Sequence, residues 1–317
     1  MNDTNSNVIA IDIGASHTRV SLFSKKRILK YKVSKTPNTG NSGDVISDLI
    51  ISLIRSELSA SEITSVKSIG VSSAGSLNTK SGEIINSPNM NFPKIKIKQP
   101  LEEEFSKDVF LINDCRSGVL GEIFADRNLL KKDVVYITFS TGIGAGAYID
   151  GNHLSGKKGN AGEAGHFFVD SKYSLHCRCG GFGHWEAYSS GTGIPAFFKA
   201  FCSDMRYNPK IPEEITPEFI LRNASQNTEI FYEFADELSK INGHGISTII
   251  AAYSPDIIIL DGPVVQNNSD VIINGINRYT DRYLDMPDIK LSSLEGFAPL
   301  YGAAYFAMTH TGNKEND

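Results

Sequence analysis

Cysteine is scarce in this chain, apolar runs are short and neither sign of charge dominates; each scarcity removes a class of protein. Four cysteines among 317 residues, with Cys177 and Cys179 only one residue apart, are poorly spaced for a disulfide framework and suit a reducing compartment. No window approaches the ~18 uninterrupted apolar residues that span a bilayer. The polar start MNDTNSN lacks the layout of a secretory signal. A soluble, cytoplasmic chain outside the membrane is therefore expected. Thirty-one Lys and Arg against 36 Asp and Glu leave a net charge of −5, which makes no electrostatic case for nucleic acid as a partner.

What is present is an ordinary globular composition over a length at which a single core usually stops growing, so two domains around a cleft are expected. Residues 8–13 (VIAIDI) form an apolar run that stops at Gly14, and residues 18–23 (TRVSLF) alternate, so GASH reads as a hairpin turn. The layout returns in VVYITFSTGIGAGAYI at 134–149, with Gly142 in the place of Gly14. Two strand–turn–strand copies one domain apart predict a duplicated α/β architecture. Helices are expected at 43–58, where apolar residues recur at helical spacing, at 229–254 and from about Leu300, with a strand at 257–260. Binding residues of such sheets gather beyond the carboxyl ends of the strands, where Asp12, Gly75, Asn113, Asp114, Thr141 and Asp261 fall.

Loops of glycine and small hydroxyl residues bring backbone N–H groups close to phosphate oxygens, and GASHT and STGIGAG both qualify. Hairpins need such residues for backbone reasons alone, so it is the pairing that favours phosphate. GIGAG lacks the third glycine of a dinucleotide fingerprint, and GNHLSGKK ends in Lys158 where a Walker A loop has Ser or Thr. Asp114 follows the strand VFLI with Asn113 beside it, a position for accepting a proton from a bound hydroxyl; the competing reading is a turn or a helix N-cap. Between Glu163 and Glu186 lie His166, His176, Cys177, Cys179 and His184. Thiolate and imidazole suit tetrahedral zinc, so His166, Cys177, Cys179 and His184 are the candidate ligands of a closed, structural site. The competing reading is two free thiols in a glycine-rich loop.

In order along the chain, DIGASHT, FLINDCRSGVLGE, FSTGIGAGAYIDG, GEAGH and CRCGGFGHWEAYSSG resemble the ROK family of sugar kinases and related repressors. That resemblance implies an actin-like, ribonuclease-H-like pair of domains closing over ATP and a sugar, split as residues 1–112 plus 301–317 and residues 113–300. It implies Asp114 as catalytic base and Gly75, Asn89, Asn113, Glu163, His166 and Glu186 as sugar contacts. On the nucleotide side it implies Asp12, Gly14, Ala15, Ser16 and His17, then Thr141, Gly142 and Gly144, with Gly262 near adenosine. Magnesium accompanies ATP, zinc sits in the cysteine loop, and a homodimer is the expected assembly.

The chain departs from the pattern in three places. Ala15, Ser16 and His17 stand where the family has Gly, Thr and Lys; His184 stands at the third cysteine; and LDGPVV carries Asp261 and Pro263 in a glycine-rich adenosine motif. The expected reaction is phosphorylation of a hexose 6-hydroxyl, glucose first, with N-acetylmannosamine as the alternative. Ser76 falls where some N-acetylmannosamine kinases of the family have arginine, which favours an unmodified hexose. A repressor would carry an added DNA-binding segment, and the first strand begins too early to leave room for one. A silent sugar-binding protein is the remaining alternative.

Overall fold

The computed structural model describes residues 6–85, 90–207, 215–226 and 229–311. It separates into two compact units, Met1–Lys131 with Asn152–Ala161 and Phe297–Asp317, and Lys132–Gly151 with Gly162–Gly296.

In the first unit, strands β1 (Asn7–Ile13), β2 (His17–Ser24), β3 (Arg27–Lys35) and β4 (Ser68–Ser73) lead into a small antiparallel sheet. That sheet is built from β5 (Ser76–Asn78), β6 (Glu83–Ile85) and β7 (Lys94–Lys96), and β8 (Asp108–Asn113) follows it. The main sheet has the order β3-β2-β1-β4-β8, with β1, β4 and β8 parallel and β1-β2-β3 antiparallel. β1 is apolar on nearly every residue because both faces are covered. On one face the helix Asp44–Glu57 buries Ile46, Ile50, Leu53 and Ile54, one stripe of a helical period, against Ile9, Ile11 and Val71. On the other, the helix Ala298–His310 packs Leu300, Ala303 and Ala307 on Val8 and Ala10.

A second five-stranded sheet repeats the plan with β9 (Val134–Phe139), β10 (Ile143–Ile149), β11 (Asn152–His153), β12 (Ile257–Asp261) and β13 (Asp288–Leu291). Its order is β11-β10-β9-β12-β13, with β9 and β10 antiparallel and β9, β12 and β13 parallel. Numbered within each sheet, both read 3-2-1-4-5, so the duplicated, actin-like α/β architecture expected from the sequence is present. The second core is aromatic: Trp185, Tyr188, Phe197, Phe198 and Phe234 are fully buried, and Phe139 meets Trp185 edge-on at 5.4 Å.

The units are not cut where the sequence suggested. The helix Asp114–Ala125, expected in the second unit, belongs to the first. It packs against Ala298–His310 so closely that a Cβ at Gly121 or Gly302 would run into backbone carbonyls, and Ser117 Oγ donates to Pro299 O at 2.7 Å. Residues 152–161 also count with the first unit.

The two turns differ in length. Ile13 pairs with Thr18 across a four-residue turn, whereas Phe139 pairs with Ile143 across three. Gly14 therefore corresponds to Ser140, and Gly142 to His17 rather than to Gly14.

Candidate active site and metal centre

In the first unit, the end of β1 and the start of the helix Asp114–Ala125 bring two carboxylates within electrostatic reach of each other. Asp12 is buried, 3.3 Å from Arg19 Nη1 on the paired strand, and accepts from Ser72 Oγ at 3.2 Å. Burial raises its pKa from the ordinary 3.8 to about 6; Arg19 opposes that rise and the charge of Asp114 adds to it. Asp114 Oδ1 accepts from Cys115 N at 2.9 Å and from Asn113 Nδ2 at 3.0 Å, which orients the carboxyl, and burial raises its pKa too.

The capping role that competed for this dipeptide falls to Asn113, whose side-chain oxygen accepts from Cys115 N and Arg116 N. Such a cap contributes about 1 kcal/mol to the helix. It leaves Asp114 as the first helical residue, where the positive end of the helix favours an anion. Gly75, just after β4, has φ +94°, a left-handed conformation that a side chain would strain. The first turn is held by Gly14 N donating to His17 O at 2.9 Å and by Thr36 Oγ1 donating to Gly14 O at 2.7 Å, with Ala15 half-buried and Ser16 and His17 exposed. Asn89 lies outside the described residues.

In the second unit, Glu186 opens the helical turn Glu186–Ser189, and its Oε2 accepts from Ile143 N at 3.0 Å. The carboxylate lies so close to the β9–β10 turn that a Cβ on Gly142 would collide with it. Thr141 is exposed, and its carbonyl accepts from Thr192 Oγ1 at 3.0 Å; Gly144 lies within β10. Glu163 Oε2 is 3.8 Å from His166 Nε2 and largely open to solvent.

His166 turns its other ring nitrogen to Cys177: Nδ1 is 3.6 Å from Sγ, while Cys179 Sγ is 3.2 Å from His184 Nδ1. The four ligand atoms all lie within 4.8 Å of one another. A tetrahedral zinc site spaces its ligands about 3.3–3.8 Å apart, so a small inward movement closes this one. Two imidazoles and two thiols are a donor set that fits zinc. Burial pushes the Cys177 thiol up to about 11, so a metal would have to displace its proton on binding. Cys177 Sγ is also 4.0 Å from Glu186 Oε1, which places one carboxylate between the metal cluster and the β9–β10 turn.

Gly262 has φ +94° and begins the short helix Pro263–Gln266. Asp261 before it is fully buried. Its Oδ1 accepts from Gly262 N at 2.7 Å, Gln266 Nε2 at 3.2 Å and Gly296 N at 3.1 Å, and its Oδ2 from Tyr136 OH at 2.8 Å. Of the six residues expected at strand ends, Asp261 thus serves as an internal clamp.

Sequence reading missed Arg19, Ser72 and Arg116. Arg19 was accessible in principle, because a hairpin places it directly across from Asp12. Arg116 carried no signal.

A family model described as "ROK family" matches residues 8–310. The chain belongs to the ROK family. A glucokinase of Pyrobaculum calidifontis is 33% identical over 241 residues, covering 75% of this chain and 78% of that protein. A putative xylose repressor of a Caldicellulosiruptor species is 24% identical over 259 residues, covering 80% of this chain and 65% of the repressor. Among solved structures, a ROK family glucokinase from Streptomyces griseus in complex with glucose and AMPPNP superposes with a TM-score of 0.77 at 24% identity, covering 95% of this chain and 99% of the other. Among the described residues no helix is long and apolar enough to cross a membrane.

Proposed function

We propose that this ROK protein is an ATP-dependent sugar kinase that phosphorylates the 6-hydroxyl of a hexose, glucose first and N-acetylmannosamine as the alternative. The observation that carries the reading is the Asp114 carboxyl: it starts a helix at the carboxyl end of β8, is oriented by Cys115 N and Asn113, and has its proton affinity raised by burial. In this reading Asp114 takes the hydroxyl proton as the sugar oxygen forms its bond to the γ-phosphorus, and the bond to the β–γ bridging oxygen breaks to release ADP. The glucokinase likeness over 78% of the relative's length supports it.

Gly75 and Asn113 would meet the sugar from the first unit, and Glu163, His166 and Glu186 from the second, with Asn89 assigned by resemblance alone. Directional groups of this kind reject analogues that leave them unpaired. Asp12 and the turn Gly14, Ala15, Ser16 and His17, together with Thr141, Gly142 and Gly144, would line the phosphates, and Gly262 the adenosine. Magnesium on the phosphates would neutralise their charge. Zinc on His166, Cys177, Cys179 and His184 would hold the loop that carries Glu186. Coordination through Nδ1 would leave His166 Nε2 to the sugar or to Glu163.

Coupled ADP release across a panel of hexoses and N-acetylhexosamines tests the reading. One sugar should stimulate turnover, and Asp114→Asn should cut kcat by about 10²–10⁴ while sugar affinity is spared. Retention of most of the wild-type kcat would refute the assignment. The repressor likeness favours a second reading, a sugar-responsive regulator, in which sugars bind but no ADP appears.

A further inference from the structure

Arg116 lies two residues beyond Asp114, and the chemistry above does not use it. Its side chain is buried, with 6% of the residue exposed, near the amino end of a helix, where a cation is disfavoured. Two features show where its guanidinium lies. Nη2 donates to Ser155 Oγ at 2.7 Å, and a Cβ built on Gly159 would come within 3.1 Å of Nη1. Arg116 therefore lies under residues 152–161, which also carry His153, a half-buried imidazole whose ring meets Phe306 edge-on at 6.1 Å. Burial first, and the Arg116 charge second, lower the His153 pKa to about 4, which keeps that ring neutral beside the guanidinium.

These ten residues have little regular structure of their own. Gly156, Lys158 and Gly159 all have positive φ, and beyond the two-residue β11 the segment has a single short helical turn, Lys157–Gly159, packed against β5. Such a segment keeps its place through what lies beneath it. The chain then runs on through Gly162 into Glu163 and His166.

We propose that Arg116 is a positioning residue that pins the strap 152–161 to the helix begun by Asp114, and so sets where the chain enters the Glu163–His166 turn. The functional half of this inference rests on the kinase reading; the structural half does not.

The test pairs two readouts on the full-length chain and on Arg116→Met, Arg116→Lys and Ser155→Ala. The first is trypsin cleavage at Lys157 and Lys158, which are exposed, followed by mass spectrometry. Loss of the whole guanidinium, with its bond to Ser155, should speed cleavage of Arg116→Met about tenfold, with Arg116→Lys and Ser155→Ala shifted in the same direction by less. The second is steady-state kinetics with the best sugar: KM for the sugar should rise about tenfold in Arg116→Met while KM for ATP stays within about twofold. Arg116→Lys should recover part of that loss. Unchanged cleavage in Arg116→Met overturns the proposal, as does equal loss for both substrates. If Arg116→Met does not fold, Ser155→Ala decides alone, and its unchanged cleavage is equally fatal. A wild-type chain that phosphorylates no sugar sinks the kinase reading and leaves the cleavage result to judge the strap.

Discussion

Replacing Asp12 by Asn should stabilise the first unit at neutral pH. In the fold this carboxyl binds its proton at about pH 6, against 3.8 for an unperturbed aspartate, so between those values the folded chain holds more protons than the unfolded one. Stability from this group is therefore fully present below pH 4 and is lost as pH rises to 6. About two pKa units correspond to about 3 kcal/mol, the penalty for keeping the anion buried at pH 8. The amide removes that penalty and keeps the contacts: its oxygen can accept from Arg19 and its NH2 can donate to Ser72 Oγ. For a unit of this size the gain is a rise in Tm of about 6–10 °C at pH 8, shrinking to nearly none at pH 4. Differential scanning calorimetry of both proteins at the two pH values reads it. A Tm change that is the same at both, or a fall at pH 8, would refute the buried-charge argument. If the kinase reading holds, the stabilised variant should also lose turnover, a trade common at sites that keep a strained group for function.

Gly142→Ala should push the Glu186 carboxylate off Ile143 N, at a cost of about 1–3 kcal/mol for the broken bond. Sugar KM should rise about tenfold, and combining the change with Glu186→Ala should add little further loss, because both act on one contact. Gly181→Ala tests the metal centre. Its φ lies outside the left-handed region, so the backbone accepts alanine, yet the new Cβ would strike the His184 ring. Zinc retention against a chelator should fall about 10- to 100-fold, as for other changes that misalign a ligand. Gly180→Ala has open space around its Cβ but a strained φ of +92°, and should cost stability without that selective loss.

Local patterning made much of the fold legible in the sequence. The helix expected at 43–58 spans Asp44–Glu57, the one at 229–254 spans Glu229–Tyr253, and the strand at 257–260 spans Ile257–Asp261. Each is set by apolar periodicity within a single segment. The membership of Asp114–Ala125 was not legible, because it depends on Gly121 and Gly302 letting two helices meet across some 180 residues of chain. The convergence of His166, Cys177, Cys179 and His184 was legible from donor chemistry, since thiols and imidazoles so close in sequence have few other reasons to gather. Arg116 was not, because its partner Ser155 is an ordinary loop residue whose return to that helix leaves no trace in composition. The correspondence of Gly14 with Gly142 failed because Gly14 opens its four-residue turn whereas Gly142 closes its three-residue one.

The Asp261 carboxylate has a bearing on attempts to change nucleotide preference. Oδ1 takes three donors and Oδ2 one, from three separate stretches of chain, and the residue is fully buried. It is committed to holding those stretches together rather than turned toward a ribose or a base. The acidic residue in LDGPVV is thus an internal fastening that merely coincides with a recognition motif, and libraries aimed at swapping the phosphate donor should hold that position constant.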